Sequence, residues 1–139
     1  MNARSVRRLA LTSVTALSLT LTACELSGNS TDGHGGGIES STTATLIDCI
    51  LSGNSAADGG GLFSRGGMST LTSCTVSGNS AANGGGIFNR DRYNHHIVRV
   101  SMTDCDLWGN TADFGGGIWN EGSAMLSDSE LSGNTAAFK

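Results

Sequence analysis

The sequence predicts an all-β protein, a parallel β-solenoid of about four and a half coils with about 25 residues in each. Three observations carry that expectation. One motif recurs at a nearly fixed period along the chain, which is the sequence signature of a repeat architecture. Short runs of alternating apolar and polar residues stand at the same place in every copy, as a half-buried strand requires. The composition, with 21 Gly, no Pro and 14% charged residues, offers a helical bundle little to build from.

The copies open at Cys24 (CELSGNSTDGHGGGI), Cys49 (CILSGNSAADGGGL), Cys74 (CTVSGNSAANGGGI) and Cys105 (CDLWGNTADFGGGI), with a shorter fifth, SELSGNTAA, from Ser129. Their starts lie 25, 25, 31 and 24 residues apart, so about six extra residues sit in the stretch RDRYNHHIVR at 90–99. Before the starts stand SLTLT, ATLI, STLT, VSMT and AML. From Leu46 to Cys49 is three residues. Residues on one face of a strand are an even number apart, so the odd step marks a bend. A second strand follows the Cys, then a turn through SGN and a short Ala-containing stretch. The Gly triplet leads into a third strand at Ile38, Leu62, Ile87 and Ile118. Three strands and three turns per coil are expected.

Coils stacked at about 4.8 Å put equivalent residues into columns. Leu21, Leu46, Leu71, Met102 and Leu126 form one inward apolar column. Leu26, Leu51, Val76, Leu107 and Leu131 form a second, and the residues after the glycines form a third. Asn29, Asn54, Asn79, Asn110 and Asn134 occupy one turn in all five copies and are expected to form a hydrogen-bonded ladder. Asn29-Ser30-Thr31 also spells a glycosylation acceptor, and the inward ladder is the preferred reading.

The repeat, with its GGGI and LSGN elements, resembles the repeats of polymorphic outer membrane proteins and related bacterial surface proteins, which carry GGA[ILV] and FxxN motifs. The resemblance covers about residues 15–139. It implies a right-handed parallel β-helix, in keeping with the usual hand of parallel crossovers, and display at the cell surface or outer membrane, or secretion.

Residues 1–23 support two readings. Arg4, Arg7 and Arg8 precede a largely apolar stretch, and Leu21-Thr22-Ala23-Cys24 fits a bacterial lipobox, which would make residues 1–23 an export signal and Cys24 the lipidation site. Alternatively, Leu17, Leu19 and Leu21 alternate with polar residues, and Cys24 is in register with the later cysteines, which makes the segment an incomplete first coil. Residues 24–139 are the repeat domain on either reading. No run of 18 or more apolar residues occurs, so no segment reads as a membrane-spanning helix, and the membrane enters only through a lipid anchor or export. Residues 24–139 hold five basic and twelve acidic groups, a balance of −7, without the clustered Lys and Arg of a nucleic-acid footprint.

Four groups of residues stand out as candidates for chemistry or binding. The cysteines are spaced too widely for a zinc motif. They form an inward column continued by Ser129, read as buried thiols because stacked side chains point the same way and hinder the disulfide torsion. Asp104 and Asp106 flank an inward Cys, and Asp128 and Glu130 repeat them one coil on. Four outward acids on adjacent strands suit a hard cation, calcium above all, or a sugar, and set against them is a plain solvated acidic face. Phe63, Phe88 and Trp119 follow the inward column by one residue and are expected to face outward as a stack, with Trp108 in place of a Ser. Such a stack binds sugar rings or a protein surface, or else lies under a loop such as 90–99. That insertion, with Tyr93, His95 and His96, is the fourth candidate. The Gly triplets lack both the Lys-Ser/Thr of a phosphate loop and the calcium nonapeptide pattern, and serve the backbone.

The function expected is an exported surface module with a structural or adhesive role, without catalysis or cofactor, meeting a host or neighbouring-cell surface. The rival is a fragment of a carbohydrate-active β-helix protein, a polysaccharide lyase or glycoside hydrolase, that binds or cleaves an extracellular polysaccharide. End-to-end self-association is a further expectation, since a stack of coils offers unpaired strands at its ends.

Overall fold

The computed structural model describes residues 4–5, 18–91 and 99–138. Every strand pair in it is parallel, and strands of successive coils stack in register into four sheets of six, four, four and five strands. One coil reads Thr43–Ile47, Ile50–Ser52, Ser55–Asp58 and Leu62–Arg65, and the next Met68–Thr72, Thr75–Ser77, Ser80–Asn83 and Ile87–Arg90. The third runs Arg99–Thr103, Asp106–Trp108, Thr111–Phe114 and Ile118–Asn120. The chain is a parallel β-solenoid of about four turns, and the described residues contain no helix.

The coil holds four strands where the sequence predicts three. The additional one is the Ala-containing stretch, SAAD, SAAN and TADF, expected to be a turn. Its side chains are mostly half-exposed and carry no apolar alternation. What makes it a strand is main-chain pairing with the copies on either side, Ser80 with Ser55 and with Thr111, a signal that no single copy contains.

The odd step before each Cys is a bend at one residue in the left-handed region: Ala23, Asp48, Ser73, Asp104 and Asp128 have φ between 49° and 53°. A bend at one left-handed residue changes which face the next residues present. Leu46 and Leu51 therefore both reach the core, although five residues separate them.

Leu26, Leu46, Leu51, Leu62, Leu71, Val76, Ile87, Met102 and Leu107 are at most 1% exposed. A fourth inward column, Ala44, Ser69 and Val100, lies two residues before the Leu46 column and is buried too. In the last coil Leu126 and Leu131 of the expected inward columns are exposed, because each has a described strand on one side only.

The N-terminal strands belong to the same stack. Ser18–Thr22 pairs with Thr43–Ile47 along its whole length, and Arg4–Ser5 lies parallel to Cys24–Ser27.

Candidate functional site

The asparagine column is a continuous ladder. The backbone N–H and Nδ2 of Asn54 both donate to Asn79 Oδ1, at 2.9 and 3.1 Å. Those of Asn79 donate to Asn110 Oδ1, both at 3.0 Å, and Asn110 repeats the pattern on Asn134. The second Nδ2 hydrogen goes back one coil, from Asn54 to Leu26 O, from Asn79 to Leu51 O and from Asn110 to Val76 O, each at 2.9 Å. Each buried amide in the middle of the stack thus uses both donors and its acceptor. Asn29, the glycosylation-type position, donates to Asn54 Oδ1 in the same way.

The cysteines are free thiols, buried at Cys49, Cys74 and Cys105 and half-buried at Cys24. Each Sγ donates to the carbonyl two residues back, including Cys24 to Thr22 O at 3.3 Å and Cys74 to Thr72 O at 3.2 Å. Ser129 completes the column, its Oγ donating to Ser127 O and accepting from Cys105 N. Cys74 lies between the sulfurs of Cys105 and Cys49, and their closeness, together with burial, pushes its thiol above the ordinary range.

The aromatic column departs from the sequence expectation. Phe63 is fully buried and Phe88 is 4% exposed, while Trp119 is half-buried. They do form a stack: Phe63 and Phe88 meet edge to face at 5.3 Å between ring centroids, and Phe88 and Trp119 at 6.5 Å. Their side chains point away from the core, as alternation requires, but into a concave corner. A Gly with φ near 60° begins each triplet and folds the preceding strand back over them. A Cβ on Gly84 would meet Phe88 Cβ at 2.8 Å.

The residue before each triplet closes the corner. His34 stacks on Phe63 with centroids 4.4 Å apart and planes 13° from parallel. Its Nδ1 lies 3.0 Å from Asp58 Oδ2, off the hydrogen-bond direction. Asn83 Nδ2 donates to Asp58 Oδ1 at 2.7 Å. Phe114 packs on Trp119 and on Phe138. At the same corner Arg65 reaches Glu39, which is the strand partner of Phe63, at 3.5 Å. Sequence reasoning missed the His34, Asp58, Asn83 and Phe114 column. The signal was there, one variable residue ahead of every invariant triplet.

The four acids do not converge. Asp104 and Asp128 occupy the left-handed bend, where Asp128 accepts from Ser127 Oγ at 2.9 Å. Asp106 and Glu130 stand opposite one another on the following sheet. The bend turns the chain between the two pairs, so they do not form one tetrad. Among the described residues no group of three or more His, Cys, Asp or Glu is placed to hold a metal ion.

Asp106 and Glu130 instead join Trp108 and Ser132 around an open depression of about 190 Å³. Trp108 is 52% exposed. Leu107 between Asp106 and Trp108 is buried, so the two flanking side chains share the outward face. Two of the four acids and Trp108, a candidate of a different group in the sequence, are thereby brought to one place. Tyr93, His95 and His96 lie outside the described residues.

The Chlamydia polymorphic membrane protein (Chlamydia_PMP) repeat matches residues 73–90. That segment runs from the left-handed Ser73 through Cys74, Asn79 and the Gly triplet to the end of the strand at Arg90, so the match contains three of the four strands of one coil and leaves out Met68–Thr72. No curated protein and no solved structure matches the chain.

Proposed function

We propose that the chain is an exported bacterial surface module, a repetitive β-solenoid with a structural or adhesive role and no catalysis. The observation that carries this reading is the continuity of the ladder and the sheets through every coil, in a repeat of the polymorphic membrane protein kind. An enzyme departs from its own repeat where acid, base and nucleophile must be placed once. The columns here vary mainly at the surface. A stack of registered coils whose buried polar groups pair with the next coil resists shear along its axis, as suits a spacer that holds a binding face away from a membrane.

Export and anchoring are part of the proposal. The Arg-rich start and the lipobox at Cys24 support a lipid anchor, whereas the pairing of Ser18–Thr22 with Thr43–Ile47 and the half-buried Cys24 thiol support a coil in its place. Expression of the full-length gene in a Gram-negative host, followed by protease shaving of intact cells, tests surface display. Labelling with a radioactive fatty acid tests Cys24. Loss of the protein on shaving supports the reading, and full protection with cytoplasmic fractionation overturns it. A panel of extracellular polysaccharides, scored for release of reducing or unsaturated ends, tests the carbohydrate-active alternative in the same preparation.

A further inference from the structure

The depression between the strands that follow the fourth and fifth starts, Cys105 and Ser129, has a chemistry that its neighbours lack. The outward positions of that sheet read Glu25, Ile50, Thr75, Asp106 and Glu130 in one column, and Ser27, Ser52, Ser77, Trp108 and Ser132 in the next. Two adjacent acids and an aromatic ring therefore arrive together at one site of that face, whereas Glu25 stands beside Ile50 with no aromatic neighbour in either column.

Asp106 and Glu130 are direct partners on neighbouring parallel strands, so two negative charges sit side by side. Both are exposed, and among the described residues neither forms a salt bridge. Next to them the Trp108 ring is half uncovered at a position where the sister coils carry Ser. Ser77, on the strand beside Trp108, is 6% exposed, while Ser52 one coil further is half-buried. The indole is the large neighbour that Ser52 lacks, and its uncovered half lines the depression.

An indole face attracts cations through its quadrupole, and a carboxylate accepts two parallel hydrogen bonds from a guanidinium. The pair of charges weighs against a neutral sugar, whose hydroxyls would leave both uncompensated, and the −7 balance of residues 24–139 draws cations toward the body. A quaternary ammonium has no N–H for the carboxylates, and a hydrated metal ion gains nothing from the ring. We propose that Asp106, Trp108 and Glu130 form a binding site for an alkylguanidinium group, an arginine side chain of a partner polypeptide or a free guanidine. Planar stacking on Trp108 and a forked contact to the carboxylates use both features of the group at once.

Trp108 fluorescence reads the site directly in a Trp119→Phe background, which is conservative because Phe88 holds that position one coil earlier. The probes are N-acetylarginine methylamide, its neutral isostere N-acetylcitrulline methylamide, tetramethylammonium chloride and cellobiose. The expected result is saturable quenching by the arginine probe, at least tenfold weaker with the isostere. Asp106→Asn with Glu130→Gln should weaken it at least tenfold, and Trp108→Ser should abolish binding measured by calorimetry. Trp108→Ser places the sister-coil residue on an exposed site, so its melting temperature should match the parent's and separate loss of binding from loss of fold. Agmatine and a Gly-Arg-Gly peptide distinguish the two sources: tighter binding of the peptide assigns a polypeptide partner, and of agmatine a free guanidine. Equal binding of arginine and citrulline probes, saturation by cellobiose or tetramethylammonium alone, or no saturable change to tens of millimolar would overturn the proposal.

Discussion

Asn79 Oδ1 accepts two hydrogen bonds from Asn54, through the backbone N–H at 2.9 Å and the side-chain Nδ2 at 3.1 Å. One oxygen thus satisfies two buried donors of the adjacent coil, and the relationship repeats with Asn110 and Asn134 up the stack. The coils are coupled through their turns as well as their sheets.

Asn79→Ala is expected to destabilise the protein by about 3 kcal/mol or more, since it strands two Asn54 donors and Leu51 O, at about 1–3 kcal/mol for each buried unsatisfied group, while the Asn110 oxygen keeps its bond from the residue 79 backbone. Asn79→Asp keeps the acceptor for Asn54 but sets an oxygen against Leu51 O and Asn110 Oδ1 and buries a charge, so at neutral pH it should lose at least as much as Ala. Denaturant melts check both. A midpoint for Asn79→Ala equal to the parent's would mean that water replaces the amide and that the turn is solvated.

Two glycines should respond in opposite ways. A Cβ on Gly85 would fall on the carbonyl oxygens of Thr111 and Gly116 in the next coil, so Gly85→Ala must push the coils apart and should abolish cooperative folding. Gly53 has φ of 61°, with Gly28 N, at 3.9 Å, the nearest atom to a built Cβ. Asn tolerates that conformation, so Gly53→Asn should cost under about 1 kcal/mol. Circular dichroism on both variants decides whether close approach or conformation is what the glycine supplies.

Much of this was legible in the residues, because a repeat displays its columns. Cys49, Cys74 and Cys105 fall in one column, as do Leu51, Val76 and Leu107, and the bend was visible as the odd step from Leu46 to Cys49. Exposure was not legible for Phe63 and Phe88. Alternation gives the side of the strand a residue points from, and only the angle between two faces decides whether that side is open. Here Gly59 and Gly84 close the angle, and residues such as His34 fill it. The fourth strand was illegible for a related reason: Ser55–Asp58 is held by its neighbours' backbones, and its own side chains carry no pattern. The joining of Asp106 and Trp108 across the buried Leu107 followed from simple alternation, whereas the separation of Asp104 from them required the bend to be placed.

The buried corner makes a quantitative prediction. Phe88→Ala should destabilise by about 3–5 kcal/mol, the range for truncating a buried aromatic, because it removes the ring on which Phe63 and Trp119 both pack. Trp108→Ala, on the exposed face, should stay within about 0.5 kcal/mol of the parent. Comparable losses for the two would mean that the corner is open in solution and that Phe88 is surface after all.

The thiol column predicts a pH dependence. Cys74 lies between Cys105 and Cys49, and the closeness of those sulfurs, together with burial, raises its pKa above the ordinary thiol value of 9.0. A raised pKa means that the unfolded chain releases this proton first. The contribution of Cys74 is therefore fully present below about pH 9 and is lost as pH rises beyond it, at up to about 1.4 kcal/mol per pH unit. Cys74→Ser removes the titration while keeping a hydroxyl in a column where Ser129 already makes the equivalent hydrogen bonds. Between pH 9 and pH 10.5 the parent's melting temperature should fall more steeply than that of Cys74→Ser, whereas below that range the slopes are set by Cys49 and Cys105, which Cys74 holds down to about 6 and about 7. In the same range iodoacetamide should label Cys74 only at the rate of unfolding. Parallel slopes across the whole range, or rapid labelling of the folded protein, would show that Cys74 titrates as an ordinary accessible thiol and that the column does not hold its proton.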